Sequence, residues 1–204
     1  MDLSILIPTH NRPEKAAKLA EALGRQDSDS FEVLIGVDGP DDRTEPAVQA
    51  AWGATGRPAA DLTVMPLEKM GQAAVRNRLL DVARGEFLIF FNDDVLPEPQ
   101  TVAAHLAGQR EGMAGSKHGA LILGDCPWVV HQPDRLFDRL LRETSMVFFY
   151  HRMNEPGARE DRSRDWGFRH AWSLNLSAPA AAVREAGGFT IFPCTYGFEE
   201  DELA

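Results

Sequence analysis

The stretch FLIFFNDD, residues 87–94, decides the fold of this chain. Its apolar part, Phe87–Phe91, has no polar face, which is typical of a strand buried on both sides of an α/β sheet. Asn92, Asp93 and Asp94 follow at the point where this strand ends. Ligands of open α/β sheets bind beyond the carboxyl ends of the strands, so we expect a binding site at this edge.

The two carboxylates indicate what this site binds. Acidic side chains repel a phosphate group unless a divalent cation lies between them. Asp93 and Asp94 offer hard oxygen ligands, which suit Mg²⁺ or Mn²⁺ bound together with substrate phosphates. A plainer alternative is that Asn92–Asp94 is only a polar turn that caps the following segment.

Length and composition fit a soluble globular protein with one large domain, or one and a half small ones. The chain has 204 residues, of which 44% are hydrophobic and 25% charged. A net charge of −10 argues against nucleic acid or an anionic membrane as a partner. Cys126 and Cys194 lie far apart, so neither a disulfide framework nor a zinc site is expected, and reduced, cytoplasmic surroundings fit. No segment has the ~20 apolar residues of an integral membrane helix, although peripheral attachment at the inner membrane face stays open.

The first half alternates strands with helices, which predicts a βαβαβαβ run with right-handed crossovers. Asn11 is the expected N-cap of the first helix, with Glu14 at the capping-box spacing. The strands are expected at residues 3–7, 31–37, 62–65 and 86–91, with helices up to residue 24, from residue 44, and over 71–84.

The second half is less regular. A charged loop over residues 153–169 is long enough to be functional or disordered. Residues 198–204 begin a helix but stop after about one turn, so we expect a chain truncated at its C-terminus. The other expected elements are strands over 118–123 and 170–176 and helices over 133–142 and 179–186.

Six segments, in this order, resemble the motifs of the family 2 glycosyltransferases of the GT-A type, which depend on nucleotide sugars. They are SILIPTHNRP (4–13), VLIGVDG (33–39), GQAAVRN (71–77), GEFLIFFNDD (85–94), GGF (187–189) and YGFEEDEL (196–203). The resemblance implies a GT-A Rossmann-like three-layer α/β/α sandwich with a central, mostly parallel sheet. It also implies a single catalytic domain over residues 1–204, with a nucleotide-binding half over 1–95 and an acceptor-side half over 96–204.

The resemblance implies a role for each residue that matches a motif. Asp38 takes the place of the acid that hydrogen-bonds the nucleobase, usually uracil, and Arg76 that of an arginine near the base and diphosphate. Asp94 takes the place of the metal-binding aspartate of the DXD-type motif, with Asp93 as the second ligand. Asn92 departs from the first aspartate of that motif and supplies no charge. The residues expected at the nucleotide are Pro8, Thr9, Asp38, Arg76, Asn77, Asn92 and Asp93.

The acidic run near the C-terminus matches a motif usually written Gly-Trp-Glu-Asp, with Glu200 in the place of the catalytic aspartate. A carboxylate there can take the proton of an acceptor hydroxyl. Glu199 and Asp201 are the neighbouring catalytic candidates. Without the motif, residues 199–202 would be only a solvated helix start, and Arg76 only an exposed helix position.

The resemblance thus implies a glycosyltransferase that moves a sugar from a nucleotide-diphosphate donor, expected to be a UDP-sugar, to an acceptor hydroxyl. Metal assistance by Mn²⁺ or Mg²⁺ and inversion at the anomeric carbon are expected. The acceptor would be a glycan, a lipid-linked sugar or a protein, in glycan or polysaccharide synthesis. The alternatives are a non-catalytic nucleotide-sugar-binding protein of the same fold and a nucleotidyltransferase. A nucleotidyltransferase lacks support because no glycine-rich basic loop follows the first strand.

Overall fold

The computed structural model describes residues 1–116, 118–130, 132–144, 147, 152–153, 155–158, 160 and 164–192. The strands are β1 (Leu3–Thr9), β2 (Phe31–Asp38), β3 (Leu62–Leu67), β4 (Phe87–Phe91), β5 (Ile122–Leu123) and β6 (Asn175–Pro179). The α-helices are α1 (Pro13–Gly24), α2 (Thr44–Gly53), α3 (Gln72–Val82), α4 (Thr101–Gly115), α5 (Leu136–Glu143) and α6 (Ala180–Glu185). Short 3₁₀ turns span Ala59–Asp61 and Phe168–His170.

Within the described residues the strands form a six-stranded sheet in the order β3-β2-β1-β4-β6-β5. Strand β1 pairs in parallel with β2 and with β4, and β3 pairs in parallel with β2. Strand β6 runs antiparallel to β4, and β5 runs antiparallel to β6. The predicted mostly parallel sheet is confirmed. Because β2, β1 and β4 are parallel neighbours, their carboxyl ends meet at one edge, where ligands of such sheets bind.

Helices cover both faces of the sheet. On one face, Ile5 packs in a buried cluster with Leu19 of α1 and Trp52 of α2. On the other face, Leu6 packs with Val75 and Leu79 of α3, and the cluster extends to α6. Successive residues of a strand point to opposite faces, so a strand covered on both sides must be apolar throughout. This is why β4 is a continuous apolar run and β1 is apolar except for the buried Ser4 and Thr9, with no alternating pattern in either.

Helix α4 has no counterpart among the elements expected from the sequence. Its buried face includes the polar side chains His105 and Gln109 beside Val102, so its apolar periodicity is weak. The His105 ring lies 2.8 Å from Asn175 Oδ1 and 2.8 Å from Ser177 Oγ, both on β6. Burial lowers the pKa of His105 below its ordinary value, and the ring is therefore neutral at pH 7. Hydrogen bonds to β6, together with apolar contacts, hold this helix in place.

The predicted N-cap of α1 is wrong. Asn11 has a φ of 52°, in the left-handed region, and Arg12 occupies the N-cap position without a side-chain bond to the helix. Asparagine tolerates the left-handed region better than other non-glycine residues, which explains its presence in this turn. Arg12, the residue after this turn, donates a hydrogen bond to Asp93.

Two strand predictions in the second half are wrong in their bounds. The strand expected over residues 118–123 is limited to Ile122–Leu123, because Gly119 has a φ of 75° and interrupts the extended backbone. The strand expected over 170–176 begins only at Asn175, because the 3₁₀ turn Phe168–His170 occupies the expected start and residues 173–174 form another turn. The helix expected over 198–204 lies outside the described residues. None of the described helices combines the length and the apolar character needed to cross a bilayer.

Candidate active site

The carboxyl ends of β1, β2 and β4 bring together most of the residues that the sequence singles out. Pro8 and Thr9 are the last residues of β1, and both are buried. Asp38 is the last residue of β2, and the Asn92–Asp94 segment directly follows β4. Since β1 lies between β2 and β4 in the sheet, its end stands between the two acidic positions.

Asp93 is a buried carboxylate whose two oxygens are both occupied. Thr9 Oγ1 donates to its Oδ2 over 2.7 Å, and Arg12 Nη1 lies 2.9 Å from its Oδ1. The residue is only 5% exposed. A buried charge is tolerated when it is paired and hydrogen-bonded, and here the end of β1 and the start of α1 supply the partners. Asp93 therefore fixes the Asn92–Asp94 segment against both elements.

Asp94 is the open member of the pair. Its side chain is 43% exposed, with Lys15 Nζ 3.1 Å and Arg12 Nη1 3.3 Å from Oδ2. Both cationic side chains are themselves about half exposed, at 51% and 52%. Exposed ion pairs contribute only about 0–1 kcal/mol, so Lys15 can be exchanged for another partner at little cost, whereas Arg12 also holds Asp93.

The carboxylates fit a metal ion that is shared with a substrate. Among the described residues there is no group of three or more His, Cys, Asp or Glu side chains that could hold a metal. Mg²⁺ commonly binds through one or two carboxylates, with substrate phosphates and water completing the coordination. Asp94 offers an open carboxylate of this kind, whereas both oxygens of Asp93 already accept hydrogen bonds from Thr9 and Arg12.

Asp38 has partners from its own chain on both carboxylate oxygens. Lys69 Nζ lies 2.8 Å from Oδ2, and the backbone N–H of Met70 donates to Oδ1 over 2.7 Å. The N–H of Gly71 also donates to Oδ1, over 3.2 Å. Burial by itself would raise the pKa of Asp38, but the hydrogen bonds from Lys69, Met70 and Gly71 outweigh it and hold the pKa below its ordinary value. Asp38 therefore carries its charge and organises the loop between β3 and α3.

Arg76 is fully buried, so its interpretation as an exposed helix position is wrong. Its Nη2 donates to Asn92 Oδ1 over 3.0 Å, which links α3 to the segment after β4. With the Gln72 amide turned to satisfy both groups, the Gln72 oxygen accepts from Arg76 Nη1 and Nη2 over 2.8 and 2.6 Å. The guanidinium carbon lies 5.2 Å from the centre of the Phe189 ring. Arginine stays charged at any working pH, so a permanent positive charge lies next to Asn92.

Asn77 lies one residue further along α3 and has a different partner. Its Nδ2 donates to the backbone carbonyl of Phe189, and the Phe189 N–H donates to its Oδ1, both over 2.8 Å. The three catalytic candidates, Glu199, Glu200 and Asp201, lie outside the described residues.

Sequence reasoning missed three basic residues of this site, Arg12, Lys15 and Lys69. Arg12 and Lys15 are three positions apart at the start of α1, and this spacing puts them on one face of the helix. Two cations on one face directly after β1 were a usable signal. Lys69 lies in the loop before α3, where the sequence offers no comparable pattern.

Comparisons with known proteins agree on one family. The family described as Glycosyl transferase family 2 matches residues 4–167. Validoxylamine A glucosyltransferase of Streptomyces hygroscopicus subsp. jinggangensis (strain 5008) is 27% identical over 219 residues, which covers 98% of this chain and 50% of that protein. The chain thus spans about half the length of the curated relatives it matches.

Solved structures share the fold. S. aureus TarS in complex with UDP-GlcNAc has a TM-score of 0.60 and 20% identity, over 93% of this chain and 49% of that one. The mannosyltransferase PcManGT from Pyrobaculum calidifontis, in complex with GDP-Man and Mn²⁺, has a TM-score of 0.58 and 17% identity, over 98% and 49% of the two chains. The likeness confirms the predicted GT-A sandwich.

Proposed function

Because the chain belongs to glycosyl transferase family 2, we propose that it moves a sugar from a nucleoside-diphosphate donor, a UDP-sugar, to an acceptor hydroxyl. In this proposal residues 1–95 are the nucleotide-binding half, and residues 96–204 form the acceptor side. The acceptor is a hydroxyl of a glycan, a lipid-linked sugar or a protein.

The contrast between Asp93 and Asp94 is the observation that carries the proposal. Asp93 is buried and held by Thr9 and Arg12, whereas Asp94 beside it is exposed and, among the described residues, pairs with Lys15 and with the same Arg12. A rigid support next to an accessible carboxylate suits the binding of Mn²⁺ or Mg²⁺ together with a diphosphate. When bound, the metal neutralises the negative charge that develops on the departing diphosphate.

The remaining residues position the donor. In the proposal, Asp38 accepts a hydrogen bond from the nucleobase, and its lowered pKa keeps it ionised for that role. Thr9 and Pro8 at the end of β1 contact the nucleoside, while Arg76 supplies a fixed positive charge towards the base and diphosphate. A charge that is preorganised in a site shielded from water stabilises a developing anion better than a mobile one does.

The transfer is a single displacement at the anomeric carbon. The acceptor oxygen forms the new bond to that carbon while the bond to the diphosphate oxygen breaks, and its electron pair leaves with the nucleoside diphosphate. Glu200 takes the proton of the acceptor hydroxyl, with Glu199 and Asp201 as neighbouring carboxylates that raise its basicity by mutual repulsion. The configuration is inverted because no covalent intermediate forms with the protein.

The structural relatives support the donor class. S. aureus TarS binds UDP-GlcNAc and PcManGT binds GDP-Man with Mn²⁺, each in a chain of the same fold. The two relatives differ in the base, and for this reason the choice of UDP is the part of the proposal that most needs a test.

Thermal unfolding with UDP and with GDP tests the proposal, each nucleotide being added alone, with Mn²⁺, and with Mn²⁺ plus EDTA. A ligand at about a hundred times its dissociation constant stabilises the folded state by ~2.7 kcal/mol, which raises Tm by several degrees. We expect UDP to give this shift only when Mn²⁺ is free. A larger rise in Tm with GDP would mean that the donor is a GDP-sugar. A cooperative unfolding transition whose Tm no nucleotide raises would contradict the proposed function.

A further inference from the structure

The Asn77 side chain forms a two-bond bracket with the backbone of Phe189. The amide nitrogen donates to the Phe189 carbonyl and the amide oxygen accepts from the Phe189 N–H, both over 2.8 Å. An asparagine side chain has one carbonyl and one amino group, and both face this single backbone unit. The bracket ties helix α3 to the turn that follows α6.

The turn is shaped to receive this side chain. Gly187 and Gly188 have φ values of 87° and 76°, and their N–H groups bond to Arg184 and Val183 at the end of α6. A Cβ added at Gly188 would lie 2.6 Å from Asn77 Oδ1, closer than van der Waals contact allows. Glycine at this position therefore has a steric reason as well as a conformational one, and the bracket depends on it.

The bracket fixes the position of the Phe189 side chain. This ring is 2% exposed and packs edge-on against Phe90 of β4, with 5.1 Å between the ring centres. The ring also lies beside the Arg76 guanidinium, whose carbon is 5.2 Å from the ring centre. A cation over an aromatic face is attracted by the ring quadrupole, and the attraction depends on where the ring lies. Arg76 in turn donates to Asn92.

We propose that Asn77 is a positioning residue, which acts on the donor site through Phe189 and Arg76 rather than by touching the nucleotide. The inference rests on the proposed function and deepens it, because it replaces the direct nucleotide contact that the motif resemblance implies for Asn77. The same bracket also fixes the point from which the chain continues towards Glu199, Glu200 and Asp201.

A double-mutant cycle separates the two roles. Asn77→Ala should weaken UDP–Mn²⁺ binding about tenfold by calorimetry, a usual size for the loss of buried hydrogen bonds. Phe189→Leu removes the ring but keeps the backbone groups of the bracket, and it should weaken binding to a similar extent. In the Phe189→Leu background, Asn77→Ala should cause little further loss, because both changes act along one path. Equal losses in both backgrounds would mean direct contact with the nucleotide and would overturn the proposal.

Two further measurements keep the result interpretable. Arg78→Ala removes an exposed side chain from the same helix and should leave UDP binding unchanged. Hydrogen exchange at the Phe189 amide detects the bracket without any nucleotide, with slow exchange expected in the wild type and faster exchange in Asn77→Ala. Fast exchange in the wild type would refute the bracket itself. Slow exchange in a protein that binds no nucleotide would leave the bracket intact, refute the role in donor binding and count against the proposed function.

Discussion

The end of β2 and the segment after β4 carry carboxylates at the same edge of the sheet, yet the surroundings of Asp38 and Asp94 differ. Asp38 is 5% exposed and accepts hydrogen bonds from two backbone N–H groups and from Lys69. Asp94 has a side chain that is 43% exposed and interacts with the flexible side chains of Arg12 and Lys15. Two of the partners of Asp38 are backbone N–H groups, whose positions the fold sets, whereas both partners of Asp94 are half-exposed side chains.

The difference separates stability from binding. A carboxylate that accepts from the backbone contributes to folding, because removing it leaves the partly buried N–H groups of Met70 and Gly71 without their acceptor. A carboxylate paired with mobile surface cations contributes little to folding but can accept a ligand without disturbing the core. In this account Asp38 organises the nucleotide-binding edge, and Asp94 is the position through which metal and diphosphate bind.

Glu200 extends the comparison to a third carboxylate, which acts on the acceptor instead of the donor. Glu200→Gln should reduce turnover by about 10²–10⁴-fold, since general base catalysis contributes that much, while UDP affinity stays unchanged. Steady-state kinetics measures the turnover of this variant, and calorimetry measures its affinity for UDP. Glu202→Gln is the matched control from the same acidic run. Full turnover in Glu200→Gln would mean that Asp201 or Glu199 is the base instead.

Stability measurements test the two segments against each other. Asp38→Ala should lower the free energy of unfolding by about 1–3 kcal/mol, because the N–H groups of Met70 and Gly71 lose their acceptor. Asp94→Ala should change it by less than about 1 kcal/mol, as expected for an exposed ion pair. Urea titrations of both variants give the values. An equal loss in the two variants would remove the distinction between them.

The pH dependence of stability gives a second view of Asp38. Its pKa in the folded protein is lowered from 3.8, so the unfolded chain binds a proton at a higher pH than the folded protein does. The contribution of the carboxylate is therefore complete above the unfolded value and is lost as the pH falls through the folded value. The stability difference between wild type and Asp38→Asn should be constant from about pH 7 to 5 and shrink below about pH 4. A difference that does not change down to pH 3 would contradict the lowered pKa.

The smallest expected effect concerns Lys15, a cation beside Asp94. Lys15→Gln removes a cation that competes with a metal for Asp94, so Mn²⁺ should bind severalfold more tightly in the absence of nucleotide. An exposed ion pair of up to about 1 kcal/mol limits the gain to about fivefold. Electron paramagnetic resonance of free Mn²⁺ measures it. Lys18→Gln makes the same change of charge at an exposed position of α1 and should have no effect, whereas weaker Mn²⁺ binding in Lys15→Gln would mean that Lys15 assists the metal.

The sequence predicted the parts of the molecule that depend on local pattern. Strand β4 is apolar throughout and β1 is so except for Ser4 and Thr9, because helices cover both faces, and this pattern is visible without a structure. Helix α4 was invisible because its buried face includes His105 and Gln109, whose partners on β6 are distant in the sequence. Similarly, the burial of Arg76 depends on Asn92 and Phe189 and cannot be read from the pattern of α3 alone.

For the candidate site, the resemblance to the family motifs predicted which residues belong to it. The structure adds the burial and the hydrogen-bond partners of those residues that it describes. The resemblance could not indicate that Asp93 is held by Thr9 and Arg12 while Asp94 is open, since these contacts join residues 84 and 81 positions apart in the sequence. The roles assigned to these residues, and to Glu199, Glu200 and Asp201, stay predictions.

UDP affinity of wild type and Asp94→Asn, measured by calorimetry with Mn²⁺ and again with EDTA, tests the central claim most directly. The wild type should bind UDP at least about tenfold more tightly with Mn²⁺, whereas Asp94→Asn should bind equally weakly in both conditions. Asp81→Asn, which alters an exposed aspartate at the far end of α3, serves as the matched control and should behave like the wild type. A metal-dependent affinity that survives unchanged in Asp94→Asn would contradict the account.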